Sequence, residues 1–191
     1  MGLTHSLGAE PDEDLMRLFK AGRMDALEIL YDRHATPLLA YISRMVGDTH
    51  TAHDLLHDVI IALTRGVASY EYPRPVRPWL FTIARNTTVN HIKRQAPTPV
   101  SNEMLEERGE EYGWFSAARR PDQQAQENER ARIVNYAFDT LSAAEKEVVF
   151  LRLTQGLRFK EIAEVTRSSS DVVRQRMSRA IKKLRKSVPP A

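Results

Sequence analysis

Apolar residues recur at intervals of three and four positions along most of the chain, and no run alternates strictly between apolar and polar residues. Intervals of three and four place side chains on one face of an α-helix, whereas strict alternation is typical of a β-strand. The pattern therefore predicts an all-α protein. Before residue 96, it predicts helices over residues 12–22, 24–47, 48–66 and 77–95.

Proline and glycine mark where these helices should end or bend. Gly22 follows the last apolar position of the first helix, where glycine commonly forms a C-cap. Pro37 lies inside the second helix and predicts a kink or a restart near Thr36, because proline lacks the backbone donor that a helix interior needs. Residues 69–78 contain three prolines and are predicted to form a stiff loop.

The periodic pattern fades after residue 95 and returns near residue 130, which divides the chain into two small helical domains. Residues 1–95 form the first predicted domain and residues 129–191 the second. Residues 96–128 contain Pro, Gly and clustered Glu with little apolar periodicity. That composition predicts a flexible linker.

The second domain is predicted to contain a helix-turn-helix. Ser142 and Glu145 have the spacing of a capping box, which indicates a helix start. Further on, a short helix, a polar break at residues 167–170 and a long final helix follow one another. The final helix is predicted to face the core with four apolar residues: Val173, Met177, Ile181 and Leu184.

Charge distinguishes the three segments more sharply than the total of +3 suggests. The net charge is 0 over residues 1–95 and −5 over residues 96–129, but residues 130–191 hold 14 basic and 6 acidic residues, net +8. Such a density of positive charge is typical of nucleic-acid binding. The absence of cysteine excludes disulfides and thiolate metal sites and favours a cytoplasmic location.

Other functional classes find little support in the sequence. No apolar run approaches the roughly 20 residues needed to span a bilayer. No nucleophile–base pairing, glycine-rich phosphate loop or metal-carboxylate cluster is present, so we expect no enzymatic activity, no cofactor and no metal. Three histidines, His50, His53 and His57, share a helix, and whether they bind metal or sense pH stays open.

The final helix carries the candidate contacts to duplex DNA. A recognition helix presents its outward side chains to base edges in the major groove and to phosphates. The outward residues that we expect to make these contacts are Arg174, Gln175, Arg176, Ser178, Arg179, Lys182 and Lys183.

The segment over residues 77–95 has the chemistry of a different nucleic-acid surface. Aromatic rings stack on unpaired bases, and amides and hydroxyls bond to base edges that have left the duplex. Asn and Thr are poor helix formers, so their concentration here indicates a function, whereas Phe81 and Ile83 are expected in the core. The candidate single-strand contacts, with two from the preceding loop, are Tyr72, Arg74, Trp79, Asn86, Thr87, Asn90, Lys93 and Arg94.

Several motifs in order resemble one family along nearly the whole chain. "AHDLLHDVIIAL" and "RPWLFTIARNTTVNHIKR" in the first domain, and "LSAAEKEVVFLRLTQGLRFKEIAEV" and "DVVRQRMSRAIKKLRK" in the second, resemble bacterial RNA polymerase sigma factors of the small extracytoplasmic-function group. The resemblance implies an alternative sigma factor in which the first domain melts and reads the promoter −10 element and the second binds the −35 element.

The same resemblance implies the partners. They are core RNA polymerase, through its beta-prime clamp and beta flap, promoter DNA, and an anti-sigma factor, with the chain a monomer in isolation and not inserted in a membrane. The polymerase-docking residues would be Asp54, Leu55, His57, Asp58 and Val59. Two features depart from the family pattern: histidines at positions 53 and 57, and Asn90 where an Asp is common.

One alternative stays open at the level of sequence. A stand-alone helix-turn-helix regulator, with the first domain used for sensing or dimerisation, would explain the basic second domain. Such a regulator would have no need for the amide-rich segment over residues 77–95.

Overall fold

The computed structural model describes residues 7–108 and 137–187, and these residues are helical with no β-strand among them. The helices of the first domain are α1 (Asp12–Lys20), α2 (Met24–Val46), α3 (Thr49–Gly66) and α4 (Val76–Gln95). A short 3₁₀ turn, Val67–Ser69, follows α3. The prediction of an all-α fold is confirmed.

Helix α2 corrects the prediction of a restart near Thr36. It runs without a break from Met24 to Val46 with Pro37 inside it. Buried residues lie on both sides of the proline, Leu30 and His34 before it and Leu38 after it. Packing on both sides therefore outweighs the backbone hydrogen bond that Pro37 cannot donate.

Helix α4 is central to the fold. It packs against α2 and α3 of its own domain and against the second domain on another side. Ten of its twenty residues are consequently buried, among them Phe81, Arg85 and Thr88. The Thr88 hydroxyl donates to the carbonyl of Ala84 at 2.8 Å, which satisfies the buried polar group.

The start of the connector is ordered, although its composition predicts a flexible linker from residue 96. Helix α5, Asn102–Arg108, lies within it. Leu105 is fully buried and Val100 is 7% exposed, so apolar burial fixes this part of the connector. The remainder of the predicted linker, residues 109–128, lies outside the described residues, as does the start of the helix predicted before Leu141.

The second domain contains α6 (Ala143–Val149), which continues into a π-helical turn, Phe150–Thr154. The predicted capping box begins α6: Ser142 N–H donates to Glu145 at 2.9 Å, and Glu145 N–H donates to the Ser142 hydroxyl at 3.4 Å. Every residue of α6 is buried, because it packs against α5 and α8 and its Glu147 bonds to Tyr41 and Arg85 of the first domain.

The helix-turn-helix consists of α7 (Phe159–Thr166) and α8 (Ser170–Ser187). Arg167 adopts the left-handed conformation with φ 53° and ends α7. The Ser169 hydroxyl accepts a hydrogen bond from the Val172 N–H at 3.2 Å and so caps α8.

The buried stripe of α8 differs from the prediction at one position. Val173, Met177 and Ala180 are buried, whereas Ile181 is 38% exposed. Steps of four and three follow the helical repeat of 3.6 residues more closely than two steps of four. Ala180 therefore takes the place on the buried stripe that was predicted for Ile181.

Candidate nucleic-acid interface

The loop before α4 is held by Tyr70. Its buried hydroxyl donates to the carbonyl of Arg74 at 2.5 Å, and its own carbonyl accepts from Lys20 Nζ at 2.8 Å. Burial, assisted by the negative charge of Glu13, raises the pKa of Tyr70 to about 12, so the hydroxyl stays protonated and remains a donor. One hydrogen bond thus joins the loop to α1, and the other joins the two ends of the loop segment 70–74.

Two of the predicted loop contacts lie on the outside of this structure. Tyr72 is 53% exposed, and the Arg17 guanidinium lies over its ring, 5.6 Å from the centroid. Arg74 is exposed and forms an ion pair with Glu164 of α7 at 3.2 Å. A cation held against an exposed aromatic ring provides a surface on which a base can stack.

Trp79 lies elsewhere than the prediction requires. It is 8% exposed, and its ring packs against Tyr70 with a centroid distance of 5.5 Å. Gly66 also lies against the Trp79 ring, where an added Cβ would be 3.9 Å away. Because α3 and the loop enclose the indole, Trp79 packs in the core here and presents no face to a base.

The polar row of α4 is largely accessible. Asn90 and Arg94 are exposed, and Asn86 and Thr87 are half-buried. Asn86, Asn90 and Arg94 recur every four residues, so they follow one face of the helix. Lys93 is half-buried, and its ammonium group donates to the Asn102 side chain at 2.7 Å.

Helix α3 presents only some of its predicted docking residues. Asp54, His57 and Asp58 are exposed, but Leu55 is 3% exposed and Val59 is fully buried. Leu55 and Val59 therefore belong to the core, which corrects their assignment as contact residues. Leu55 and Val59 are four residues apart, and Leu56 and Leu63 are buried beside them. This apolar spacing is typical of a core-facing stripe and could have identified both residues as core residues from the sequence.

The start of α3 is fixed by Asp48, whose carboxylate accepts from the Thr51 N–H at 2.7 Å. Hydrogen bonds from the Thr51 side chain and backbone lower the pKa of Asp48.

The histidines of α3 form no metal site with the other residues that the structure describes. Nδ1 of His50 lies 3.4 Å from Oδ2 of Asp54, and both side chains are exposed. Within residues 7–108 and 137–187, no group of three or more His, Asp or Glu side chains is arranged to hold a metal ion.

The outward face of α8 carries most of the predicted duplex contacts. Gln175, Ser178, Arg179 and Lys182 are exposed. Three basic residues pair with carboxylates: Arg174 with Asp171 at 2.7 Å, Lys183 with Glu145 at 2.7 Å, and Arg176 with Glu106 of the connector. Burial opposes the charge on Glu145, but the bond from Lys183 and the Ser142 N–H outweigh it and lower its pKa.

The structure also brings together charged residues that the sequence analysis did not single out. Glu147 of α6 is fully buried and accepts from Arg85 Nε of α4 at 2.9 Å and from the Tyr41 hydroxyl of α2 at 2.5 Å. Burial and the charge of Glu147 raise the pKa of Tyr41 well above its ordinary value. Burial works against the charge on Arg85, but the attraction of Glu147 outweighs it and raises the pKa of Arg85.

A sequence signal for this cluster exists in retrospect. Arg85 follows Phe81 by four positions and precedes Val89 by four, so it interrupts an apolar stripe of α4. Glu147 stands directly before Val148 and Val149 in a helix with two alanines. A charge at a core position is rare unless it has a partner, so each residue predicts one without identifying it.

An all-α protein with an amide-bearing helix in one domain and a basic helix-turn-helix in the other belongs to the class of two-domain DNA-binding proteins. Two family models define it further: sigma-70 region 2 matches residues 30–98, and sigma-70 region 4 matches residues 137–186. The chain therefore belongs to the sigma-70 family, and its relatives assign it to the extracytoplasmic-function (ECF) group of sigma factors.

Two of these relatives are sigma factors of Streptomyces coelicolor and Bacillus subtilis. The ECF RNA polymerase sigma factor BldN of Streptomyces coelicolor is 29% identical over 92% of this chain, which spans 65% of BldN. The ECF RNA polymerase sigma factor SigX of Bacillus subtilis is 26% identical over 85% of this chain and 83% of SigX.

Solved structures share the fold. CnrH, in complex with the cytosolic domain of CnrY, matches with a TM-score of 0.65 and 22% identity over 92% of this chain and 95% of CnrH. The sigma factor RpoE of Bartonella quintana, in complex with the anti-sigma factor NepR, matches with a TM-score of 0.58 and 20% identity over 83% of this chain and 95% of RpoE. Among the described residues, no helix has the length and apolarity needed to cross a bilayer.

Proposed function

We propose that this sigma factor docks on core RNA polymerase through the exposed side of α3, opens the promoter with α4 and its preceding loop, and grips upstream duplex with α8. The observation that carries the proposal is the row of Asn86, Asn90 and Arg94, half-buried at Asn86 and exposed at the other two, on a helix with half of its residues buried. Such a helix offers hydrogen-bonding groups at fixed positions.

Strand opening needs a surface that stabilises unpaired bases more than paired ones. Carboxamides such as Asn86 and Asn90 both donate and accept hydrogen bonds, so they satisfy base edges that pairing would otherwise occupy. Tyr72, exposed beside Arg17, supplies an aromatic face for a base that has left the stack. Arg94 and Lys93 supply charge for the backbone of the same strand.

The position of α8 after the turn at Arg167 to Ser169 supports its proposed role in duplex binding. The exposed Gln175 and Arg174 lie in the first turns of α8, where a recognition helix reaches base edges. Lys182 and Arg179 lie further along and suit phosphate contacts. The charge of this domain steers association and makes it sensitive to salt.

On α3, the docking surface is reduced to its exposed residues, Asp54, His57 and Asp58. We propose that these contact the beta-prime clamp and that the second domain contacts the beta flap. The protein contributes no catalytic chemistry of its own and acts in the cytoplasm, where the polymerase is.

An anti-sigma factor is the proposed inhibitor. Two of the solved structures with this fold are complexes: CnrH with the cytosolic domain of CnrY, and the sigma factor RpoE with the anti-sigma factor NepR. Co-purification from native cells at endogenous level tests this proposal. A free monomer under all unstressed conditions would contradict it.

Run-off transcription with core polymerase on genomic fragments tests the proposed function as a whole. We expect transcripts from a small set of promoters, mapped by their start sites, and none from core polymerase alone. The regulator alternative predicts the opposite behaviour, namely tight and specific duplex binding without polymerase and no transcripts. Membership of the sigma-70 family favours the sigma factor.

A further inference from the structure

Helix α1 lies along the loop before α4 and bonds to both of its ends. At the start of the loop, the Lys20 ammonium group donates to the carbonyl of Tyr70 at 2.8 Å. At its end, the Glu13 carboxylate accepts from the Val76 N–H at 3.3 Å. Val76 is the first residue of α4, so its N–H has no acceptor within the helix and the carboxylate supplies one. Helix α1 therefore fixes the loop and the start of α4.

Between these two bonds, α1 contacts an aromatic ring that the loop exposes. The Arg17 guanidinium lies over the Tyr72 ring, 5.6 Å from the centroid. Nη2 of Arg17 also donates to Oδ1 of Asp14 at 3.2 Å, which restrains the guanidinium. Glu13, Arg17 and Lys20 are four and three positions apart, so they share one face of α1. That face supports the loop at its start, its middle and its end.

The geometry of the contact decides where a base can stack on Tyr72. A base inserted between the guanidinium and the ring would need about 7 Å between them, twice the roughly 3.4 Å spacing of stacked bases. The observed 5.6 Å is too short for that insertion. Tyr72 is nevertheless 53% exposed. A base that stacks on the ring must therefore use the face opposite Arg17.

A cation behind the ring prepares it for that base. An exposed side chain loses rotamer freedom when a ligand stacks on it, and this loss weakens binding. The hydrogen bond from the Tyr70 hydroxyl to the Arg74 carbonyl already restrains the backbone on either side of Tyr72. Arg17 restrains the ring itself through a cation–π contact. Part of the ordering that base capture requires is thus present before DNA arrives.

We propose that Arg17 is a positioning residue for promoter opening, which holds the Tyr72 ring in the orientation that receives an unpaired base. The inference rests on the proposed function, because that function assigns Tyr72 to the unpaired strand. Arg17 acts through the ring and does not need to touch DNA. Its contribution therefore exists only when both the ring and the base are present.

The alternative is that Arg17 contacts a phosphate directly, since its side chain is 62% exposed. Holoenzyme binding to a fluorescent single-stranded oligonucleotide with the −10 sequence of a mapped promoter distinguishes the two roles. Anisotropy measures the affinity of the wild-type protein, Arg17→Ala, Tyr72→Ala and the double variant. Each is also titrated with oligonucleotides that carry one abasic residue at successive −10 positions.

Arg23→Ala is the matched control. It removes an exposed arginine that also pairs with a nearby aspartate, Asp25, but lies beyond the end of α1. This variant should bind the oligonucleotide as the wild-type protein does.

We expect Arg17→Ala to weaken binding about twofold to tenfold, the cost of immobilising one side chain. Tyr72→Ala should weaken it about fivefold to 150-fold, as for the loss of a base stacked on an aromatic ring. The double variant should bind no more weakly than Tyr72→Ala alone. The effect of Arg17→Ala should also vanish on the oligonucleotide that lacks the captured base. Circular dichroism and the affinity for core polymerase should be unchanged in each variant.

Four results would overturn the inference. An equal loss from Arg17→Ala with and without Tyr72 would make Arg17 a phosphate contact, and the slope of log K against log salt would then fall by about 0.7. A fall in polymerase affinity or in helix content in Arg17→Ala would make its role structural. An unaffected Arg17→Ala beside a weakened Tyr72→Ala would remove Arg17 from base capture. Unaltered binding in both would remove Tyr72 as well.

Failure of the proposed function has a different signature. In that case, the wild-type holoenzyme binds the −10 oligonucleotide no better than a scrambled one and gives no run-off transcripts. Transcripts from the wild-type holoenzyme together with any of the four results above would refute the role of Arg17 alone.

Discussion

Helices α4 and α8 are both assigned to DNA, yet they are built in opposite ways. Ten of the twenty residues of α4 are buried, against three of the eighteen residues of α8. The accessible row of α4 consists mainly of uncharged amides, whereas α8 exposes cations along its length. We infer that DNA binding by α4 depends on the fixed positions of its side chains, because unpaired bases must meet groups that are held in place. DNA binding by α8 depends instead on its positive charge.

The largest difference between the helices should appear when one apolar side chain is removed from each. Phe81 of α4 is fully buried with its ring edge-on to Tyr41 at 5.3 Å, whereas Ile181 of α8 is 38% exposed. Phe81→Ala should lower the free energy of unfolding by about 3–5 kcal/mol. Ile181→Ala should lower it by less than about 1 kcal/mol, and urea unfolding measures both. Equal losses would contradict the contrast.

Removal of the amides of α4 should weaken promoter opening more than it weakens binding to core polymerase. Asn86→Ala and Asn90→Ala should each weaken promoter opening by about 1–3 kcal/mol, or roughly fivefold to 150-fold, through lost hydrogen bonds to bases. The affinity for core polymerase, measured by fluorescence anisotropy, should stay unchanged. Thr64→Ala, at an exposed position of α3, is the control and should leave promoter opening unchanged. Equal loss of opening and of polymerase affinity would contradict the assignment of α4.

Loss of cations from α8 should change the salt dependence of binding. Lys182→Ala and Arg179→Ala should each weaken holoenzyme binding to duplex promoter by a few-fold and reduce the slope of log K against log salt by about 1, as expected for one lost phosphate contact. Titrations at several salt concentrations measure this slope. The same titration with Asn90→Ala should leave the slope unchanged, and a parallel fall there would remove the distinction between the two helices.

The smallest effect concerns the anchoring of α1 to α2. A hydrogen bond from His34 lowers the pKa of Asp12 against the opposing effect of burial, and Arg33 adds to the lowering. Because the folded pKa is below the ordinary value of 3.8, the stabilisation is present above that value and is lost as pH falls through the folded pKa. In Asp12→Asn, the free energy of unfolding should therefore fall slightly less steeply as the pH is lowered through this range.

Denaturant midpoints at several acidic pH values measure that change. Asp25→Asn is the control, since Asp25 pairs with Arg23 at the surface and contributes less. A greater flattening of the acid side of the stability curve in Asp25→Asn than in Asp12→Asn would contradict the ordering.

Helix positions could be predicted from the sequence, because apolar periodicity is a local property. The helix predicted over residues 77–95 is observed as Val76–Gln95, and the capping box at Ser142 is where its spacing placed it. The amides of α4 could be predicted as functional residues for a similar reason, since polar residues that weaken a helix stand out in the sequence.

The errors arose where tertiary contacts decide. Leu55 and Val59 are assigned to the docking surface by a family resemblance that covers a whole segment. Such a resemblance does not state on which face of the helix each residue lies. Arg85 and Glu147 are 62 positions apart and belong to different domains. Local patterns show that such residues are unusual at core positions, but only the packing of α6 against α4 identifies their partner.

The central claim is that α4 binds bases that have left the duplex. Permanganate footprinting of the holoenzyme on a mapped promoter tests it most directly, because permanganate oxidises unpaired thymines. We predict reactive thymines in the −10 element with the wild-type protein and a strong reduction with Asn86→Ala at equal occupancy. Promoter occupancy without reactive thymines, in the wild-type protein, would contradict the account.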